Sequence, residues 1–197
     1  LLYPAELRED PDGIHDFLNR ELLAAEEDPQ NVIFLPFLFG EQDPVQDTEV
    51  RGSLLNVTPS TQRRDILHAF IEGIAFNLRW MKEQHIDMTG TWTEKAIRTY
   101  GGGAQSDVIL QIVADVMGDT LIRLQNPRTS GNIGLGVCVA VGLGEAPGFE
   151  VLDDIVKEDK TFQPRKSQRE IYDARYKIYR DAYVALQNTY HALNGAQ

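Results

Sequence analysis

Apolar positions along the chain switch between helical spacing and short unbroken runs, and proline or glycine marks most of the switches. Ile14, Phe17, Leu18, Leu22 and Leu23 recur on one helical face over residues 14–27. The turn Pro11-Asp12-Gly13 opens that helix and Asp28-Pro29 stops it. Next comes the run Val32-Ile33-Phe34-Leu35-Pro36-Phe37-Leu38-Phe39-Gly40. Pro36 has no amide proton for a sheet ladder, so the run predicts a short strand over 32–35 leading into a buried loop. The turn Arg51-Gly52 precedes Leu54, Leu55 and Val57. The longest helical pattern covers 60–84, where Ile66, Leu67, Phe70, Ile71, Ile74, Leu78 and Met81 form one apolar stripe. Thr58 or Ser60 is placed to cap it, and Pro59 suits its first turn.

Beyond the turn at Gly90, residues 95–100 predict a strand that delivers Gly101-Gly102-Gly103-Ala104-Gln105-Ser106. Ile109, Leu110, Ile112, Val113, Val116 and Met117 then predict a helix over 107–117, which Gly118 ends in a left-handed stop. A second strand covers 120–124, Asn126-Pro127-Arg128 breaks the chain, and a third helix covers 130–141. Its glycines Gly131, Gly134 and Gly136 each cost ~1 kcal/mol against alanine, which predicts close approach by another helix or a ligand at that face, with close packing favoured. Residues 145–164 read as a linker-like connection. The last helix spans 167–193, with Tyr172, Tyr176, Tyr179, Tyr183, Leu186, Tyr190 and Leu193 as a core or interface stripe, and Asn194-Gly195 stops it. The alternation of helix and strand argues an α/β fold with a largely parallel sheet.

The charge narrows the partners. Thirty acidic against nineteen basic residues give a net charge of -11, which argues against nucleic acid and anionic membranes. A nucleotide stays compatible, because backbone amides and a metal ion can hold it. No stretch reaches the ~18 apolar residues of a membrane span and no signal peptide opens the chain, so a cytoplasmic protein is expected. The start at Leu1-Leu2-Tyr3-Pro4 lacks Met, which points to a fragment or a processed chain. Cys138 is the single cysteine and allows no internal disulfide; within Val137-Cys138-Val139-Ala140-Val141 it reads as a small buried hydrophobe.

Candidate chemistry concentrates at the glycine turn. Glycines bring backbone close to a flat or phosphorylated ligand, and the following helix aims free N–H groups and its positive end there. The turn is neither a Walker loop nor a dinucleotide fingerprint, and packing geometry is an equally good account of it alone. Glu41, Asp43 and Asp47 share one loop; a solvated acidic turn is favoured over metal or acid–base work. Glu72, beside the apolar stripe, reads as a carboxylate bonded to a neighbouring loop in preference to a catalytic one. His68 and His85 have no second ligand at metal spacing, so no metal is assigned to them.

Four stretches in this order resemble the C-terminal domain of the FGGY carbohydrate kinases. Phe34-Leu35-Pro36-Phe37-Leu38-Phe39-Gly40-Glu41 with Pro44 and Arg51-Gly52 is similar to the family's FLPYL-GER-P and RG pattern. Glu72-Gly73-Ile74-Ala75-Phe76 is the second stretch. The glycine turn, similar to GGGAKS, with Gln111-Ile112-Val113-Ala114-Asp115 is the third. The stretch 131–144 is the fourth, where the family has a GAA-rich helix ending in VGLG. The resemblance covers about 32–144, and the tyrosine-rich last helix looks like the tail of xylulokinase-type members.

The resemblance implies an actin-like, ribonuclease H-like ATPase fold, of which this chain would hold the C-terminal lobe. It divides the chain into a loop-rich lead-in with a helix (1–31), an α/β domain incomplete at its N-terminal side (32–164), and a C-terminal amphipathic helix (165–197) packing on the domain or a partner. Kinases of this family close two lobes on sugar and MgATP, and an aspartate takes the proton of the attacking hydroxyl. Carried over by position, Gly102 and Gly103 would face the nucleotide, Ser106 would hydrogen-bond near the adenine or ribose, and Gly101 and Ala104 would shape the turn. The implied cofactors are ATP and Mg²⁺. The implied partners are the sugar, the N-terminal lobe of the same kinase and, through the last helix, a homodimer. A pentulose such as xylulose is the expected substrate. No counterpart of the catalytic aspartate or of the family's Gly-Thr phosphate segment occurs in residues 1–31, so the chain alone is expected to be inactive. Gln42 stands where the family has the arginine of GER, and Gly134-Leu135-Gly136 replaces GAA. The rival reading, a noncatalytic actin-like interaction module that has lost its nucleotide site, rests on those departures.

Overall fold

Two hydrophobic cores meet across one short helix. The computed structural model describes residues 2–10, 13–27, 30–92 and 96–195. The Pro11-Asp12 and Asp28-Pro29 signals and Lys95 lie outside the described residues. In chain order come α1 (Pro4–Glu9), α2 (Ile14–Glu27), β1 (Ile33–Leu35), β2 (Ser53–Leu55), α3 (Arg63–Thr89) and β3 (Ile97–Thr99). They are followed by α4 (Asp107–Met117), β4 (Leu121–Leu124), α5 (Ser130–Gly142), α6 (Val151–Ile155), β5 (Glu158–Phe162) and α7 (Arg169–Asn194).

β1 and β2 pair antiparallel, with Ile33 opposite Leu55. β3 and β4 pair in parallel, with Ile97 opposite Leu121. A parallel pair needs a crossover, and α4 supplies it. β5 lies antiparallel on the other edge of β4, with Leu121 opposite Phe162. This corrects two expectations. The segment 145–164 contains α6 and an edge strand, and only one of the described strand pairs is parallel. β5 escapes an apolar pattern because four of its five residues are exposed and only Phe162 is buried. Its polar side chains tie it to the sheet instead: Arg123 pairs with Asp159 at 2.6 Å and Arg98 with Glu158 at 3.1 Å.

α4 is buried on opposite sides. Ile112 and Val116 enter the larger core with Leu22, Leu35, Phe37, Phe76, Trp80 and the tyrosines of α7. Leu110 and Ala114 enter a smaller core with Ala104, Leu121 and Phe162 against the sheet. The α7 tyrosines suit a buried stripe with a wet end, because the rings fill the core while the hydroxyls of Tyr176, Tyr179, Tyr183 and Tyr190 find partners. Tyr176 donates to Glu83 at 2.6 Å and Tyr190 to Ser53 at 2.6 Å. Leu193, read as part of the stripe, is 74% exposed.

α3 departs most from its pattern. Its buried residues are Asp65, His68, Ala69, Glu72, Gly73, Ala75, Phe76 and Trp80, whereas Ile74 and Leu78 are exposed. The packed side is rotated from the apolar stripe: Gly73 meets the Phe34 backbone of β1, Glu72 pairs with Arg175 of α7, and Phe76 and Trp80 lie against the α7 tyrosines. Gly73 admits the Phe34 carbonyl, which would stand 2.4 Å from an added Cβ. Neither Thr58 nor Ser60 caps this helix. Asp65 accepts from the Gln62 amide at 2.7 Å in a capping-box arrangement, while Thr58 and Ser60 bond each other.

α5 is apolar all round, the composition of a buried helix, yet only Ser130 and Val137 are buried. Leu135, Val139 and Leu143 are exposed, and so is Cys138, against the expectation of a buried thiol. Nothing stands within 4 Å of a Cβ added at Gly134 or Gly136, so the close packing expected of these glycines is not made within the described residues. The physical reason is simple: the apolar face has no described element laid across it. No described helix is long and apolar enough to cross a membrane.

Candidate functional site

The glycine turn hangs between two fixed points. β3 ends at Thr99, whose hydroxyl donates to the Ile122 carbonyl at 3.1 Å. The Gly101 amide donates to the Pro127 carbonyl at 2.7 Å, with Gly101 at φ +96°, a conformation that favours glycine. Residues Gly103–Gln105 then make one 3₁₀ turn, and α4 begins. Ala104 turns inward and joins the smaller core at 4% exposure. The outer face is bare: nothing lies within 4 Å of a Cβ added at Gly101, Gly102 or Gly103.

Ser106 is the cap of α4. Its hydroxyl accepts from the Ile109 amide at 3.2 Å and donates to Asn19 Oδ1 of α2 at 2.6 Å. That bond sets α2 as the opposite wall of a cleft of about 340 Å³, which Gly102, Gly103 and Gln105 face from one side and Asp16 and Asn19 from the other. Leu67 and Ile71 of α3 form the apolar floor. α2 lies within residues 1–31, where the sequence shows only a lead-in with a helix and nothing that marks this wall. No local signal marks it, because the bond joins residues 87 positions apart.

The electrostatics leave the α4 N-terminus open to an anion. Asp107 in its first turn would oppose one, but it is bonded to Lys160 at 2.6 Å and Arg123 at 2.5 Å. The Lys160 bond and then Arg123 outweigh burial and hold its carboxyl below the usual range. A larger hollow of about 670 Å³ lies between β3, α5 and α6 and includes Tyr100 and Gly131. The glycines 101–103 do not line it, so the smaller cleft is where the backbone cradle points.

The other carboxylates are structural. Asp47 is buried against α7 and accepts from Gln187 at 3.0 Å, Tyr183 at 3.3 Å and His191 at 2.9 Å. Glu41 accepts from Asn77 at 3.0 Å. Of the acidic loop, only Asp43 fits the solvated turn that was expected, because α7 and α3 lie across the rest. Glu72 pairs with Arg175 of α7, which also donates to the Val32 carbonyl at 3.0 Å; the partner is a helix, where a loop was expected. Asp115 receives the Arg165 amide at 2.6 Å and its Nε at 2.7 Å, so the acidic end of Gln111-Ile112-Val113-Ala114-Asp115 fastens α4 to the lead of α7. His85 meets Trp92 edge-on. Among the described residues no three His, Cys, Asp or Glu side chains converge as metal ligands.

A strand, a bare glycine turn, a capped helix and a facing wall define an α/β domain built around a backbone cradle. Its mixed helix-and-sheet architecture is the actin-like ATPase fold of the FGGY sugar kinases. The crystal structure of ligand-bound xylulose kinase from Lactobacillus acidophilus superimposes with a TM-score of 0.74 at 26% identity, covering 91% of this chain and 36% of that one. Residues 5–142 match the C-terminal domain of the FGGY family of carbohydrate kinases, and the chain belongs to that family. The xylulose kinase of Staphylococcus epidermidis is 29% identical over 157 residues, 77% of this chain and 30% of that protein. The glycerol kinase of Thermus brockianus is 32% identical over 157 residues, 79% of this chain and 31% of that protein. The chain therefore spans about a third of the length of the relatives it matches.

Proposed function

We propose that this chain is the nucleotide-side portion of an ATP-dependent carbohydrate kinase that phosphorylates a sugar hydroxyl, with a pentulose such as xylulose as substrate. One observation carries the reading: the bare face of Gly102 and Gly103 opens on a cleft whose far wall is fixed by the Ser106–Asn19 bond. A flat base fits between backbone and wall where a side chain on either glycine would project. Ser106 already donates to Asn19 and accepts from Ile109, so toward adenine or ribose it has only a further lone pair to offer. Asn19 keeps its amide N–H groups for the same ligand. Gly101 and Ala104 hold the turn in shape, and the open end of α4 favours the charge of a nucleotide.

Catalysis by such a kinase rests on positioning and charge stabilisation. Mg²⁺ would travel with the phosphates, held by ligands outside this chain, as would the aspartate that deprotonates the sugar. The uncovered apolar face of α5 supports this division, because it is a surface for the remaining lobe of the same kinase to cover. Xylulose as the sugar draws on the xylulose kinases among the relatives; the glycerol kinases among them make a polyol the competing substrate. Gln42, cited for a noncatalytic module, is exposed and outside the cleft, so its exchange leaves the cradle intact.

Calorimetric titration with MgADP tests the reading, beside a Gly102→Val version. Gly102 has helical angles and open space at its Cβ, so valine fits the fold and enters the cleft. Saturable binding that valine abolishes is the expected result. Equal heats in the two proteins would remove the turn from the site. If neither binds, the same titration of the full-length kinase separates a dead site from a divided one.

A further inference from the structure

Among the residues that line the glycine-turn cleft, Asp16 is the only carboxylate. It lies in the first turn of α2, on the wall opposite Gly102 and Gly103. Asp16 stands three residues before Asn19, so the two side chains share one face of the helix. It is exposed, and among the described residues it pairs with no cation and accepts from no side chain. The other acceptors of the cleft are largely committed. Asn19 Oδ1 takes the Ser106 hydroxyl at 2.6 Å, and Ser106 takes the Ile109 amide at 3.2 Å. The Gly102 carbonyl accepts from the Gln105 amide and from Gln105 Nε2, each at 3.2 Å. Asp16 thus supplies two free, charged acceptor oxygens.

The parts of a nucleotide respond differently to that carboxylate. Phosphates are repelled by it and drawn to the N-terminal end of α4. The base is served by the apolar floor of Leu67 and Ile71 and by the bare backbone of Gly102 and Gly103. The ribose carries two neighbouring hydroxyls, both donors. A carboxylate takes such a pair with one hydrogen bond to each oxygen, and its charge makes these bonds stronger than neutral ones.

We propose that Asp16 accepts the 2′- and 3′-hydroxyls of the bound nucleotide and makes the site selective for ribonucleotides over deoxyribonucleotides. The proposal rests on the glycine turn being the nucleotide site. It adds a selectivity that the turn cannot supply, since bare backbone does not tell the two sugars apart.

Calorimetric titration of the full-length kinase with MgADP, beside its 2′-deoxy counterpart, tests it. MgADP should bind at least about tenfold more tightly. Asp16→Ala should bring the two affinities together by weakening MgADP, with circular dichroism confirming a folded variant. If Asp16 served only the dipole of α2, the variant would change both affinities alike and leave their ratio where it was. Equal affinity of the wild-type kinase for the two nucleotides overturns the proposal and leaves the glycine turn as a nucleotide site. A preference that survives Asp16→Ala does the same. Binding of neither nucleotide by the full-length kinase overturns the nucleotide site and this proposal together.

Discussion

Asp47, on the loop after β1, and His191, in the last turn of α7, lie 2.9 Å apart across 144 residues of sequence. Tyr183 and Gln187 close on the same carboxylate, so one buried anion fastens the end of α7 to the hairpin side of the fold. Asp47→Ala would leave four polar groups, on Tyr183, Gln187, His191 and the Glu49 amide, without this acceptor. A loss of about 3 kcal/mol in urea unfolding is expected.

The same carboxylate gives a pH signature. Burial pushes Asp47 up, but hydrogen bonds from Gln187, His191 and the Glu49 amide outweigh it and bring the pKa to about 2. The folded value lies below the unfolded one. Its contribution is therefore fully present above about pH 4 and is lost as the pH falls toward 2. Asp47→Asn should flatten the dependence of stability on pH in that window, measured by denaturant titrations at successive pH values.

Two helical glycines should respond to alanine with opposite signs. At Gly73 the new Cβ would stand 2.4 Å from the Phe34 carbonyl, and backbone cannot yield cheaply. Overpacking should outweigh the gain in helix propensity and cost about 1–2 kcal/mol. Gly134→Ala meets nothing within 4 Å and should gain about 1 kcal/mol. Equal shifts in thermal melts of the two variants would refute the packing assigned to α3 and β1.

Ser106→Ala removes both the α4 cap and the bond to Asn19. A destabilisation of about 1 kcal/mol is expected from the cap alone. Asn19→Ala removes only the bond across the cleft. A double-mutant cycle should show a coupling of about 0.5–1 kcal/mol, and additive effects would mean that α2 is held by its apolar face alone.

Glu72 and Arg175 form a buried pair, 4% and 12% exposed at their side chains. Arg175→Met would strand the carboxylate and should cost about 3–5 kcal/mol. The double change to methionine at both positions should recover most of that loss, read from denaturant midpoints.

Signals that act over a few residues were legible. The bounds of α4 and its left-handed stop at Gly118 follow from a serine cap, an apolar period and one glycine. The glycine turn read as a backbone cradle, and its bare outer face agrees with that geometry. What escaped depends on partners far along the chain. Asp47 looked solvated because its ligands lie on α7; Asn19 looked incidental because its partner lies 87 residues on. Cys138 looked buried because an apolar run normally is, and here no described element covers it. β5 carries charge pairs where a pattern reader looks for valine. Fold class was within reach of one sequence, whereas the cleft's second wall was not.

The position of α4 between two cores has a calorimetric consequence. Ile112 and Val116 belong to one cluster, Leu110 and Ala114 to the other, and eleven residues of backbone join them rigidly. Neither cluster can loosen without withdrawing a helix face from its neighbour. The sheet and the tyrosine-lined helices should therefore melt as one cooperative unit, with a single heat-absorption peak and equal van't Hoff and calorimetric enthalpies.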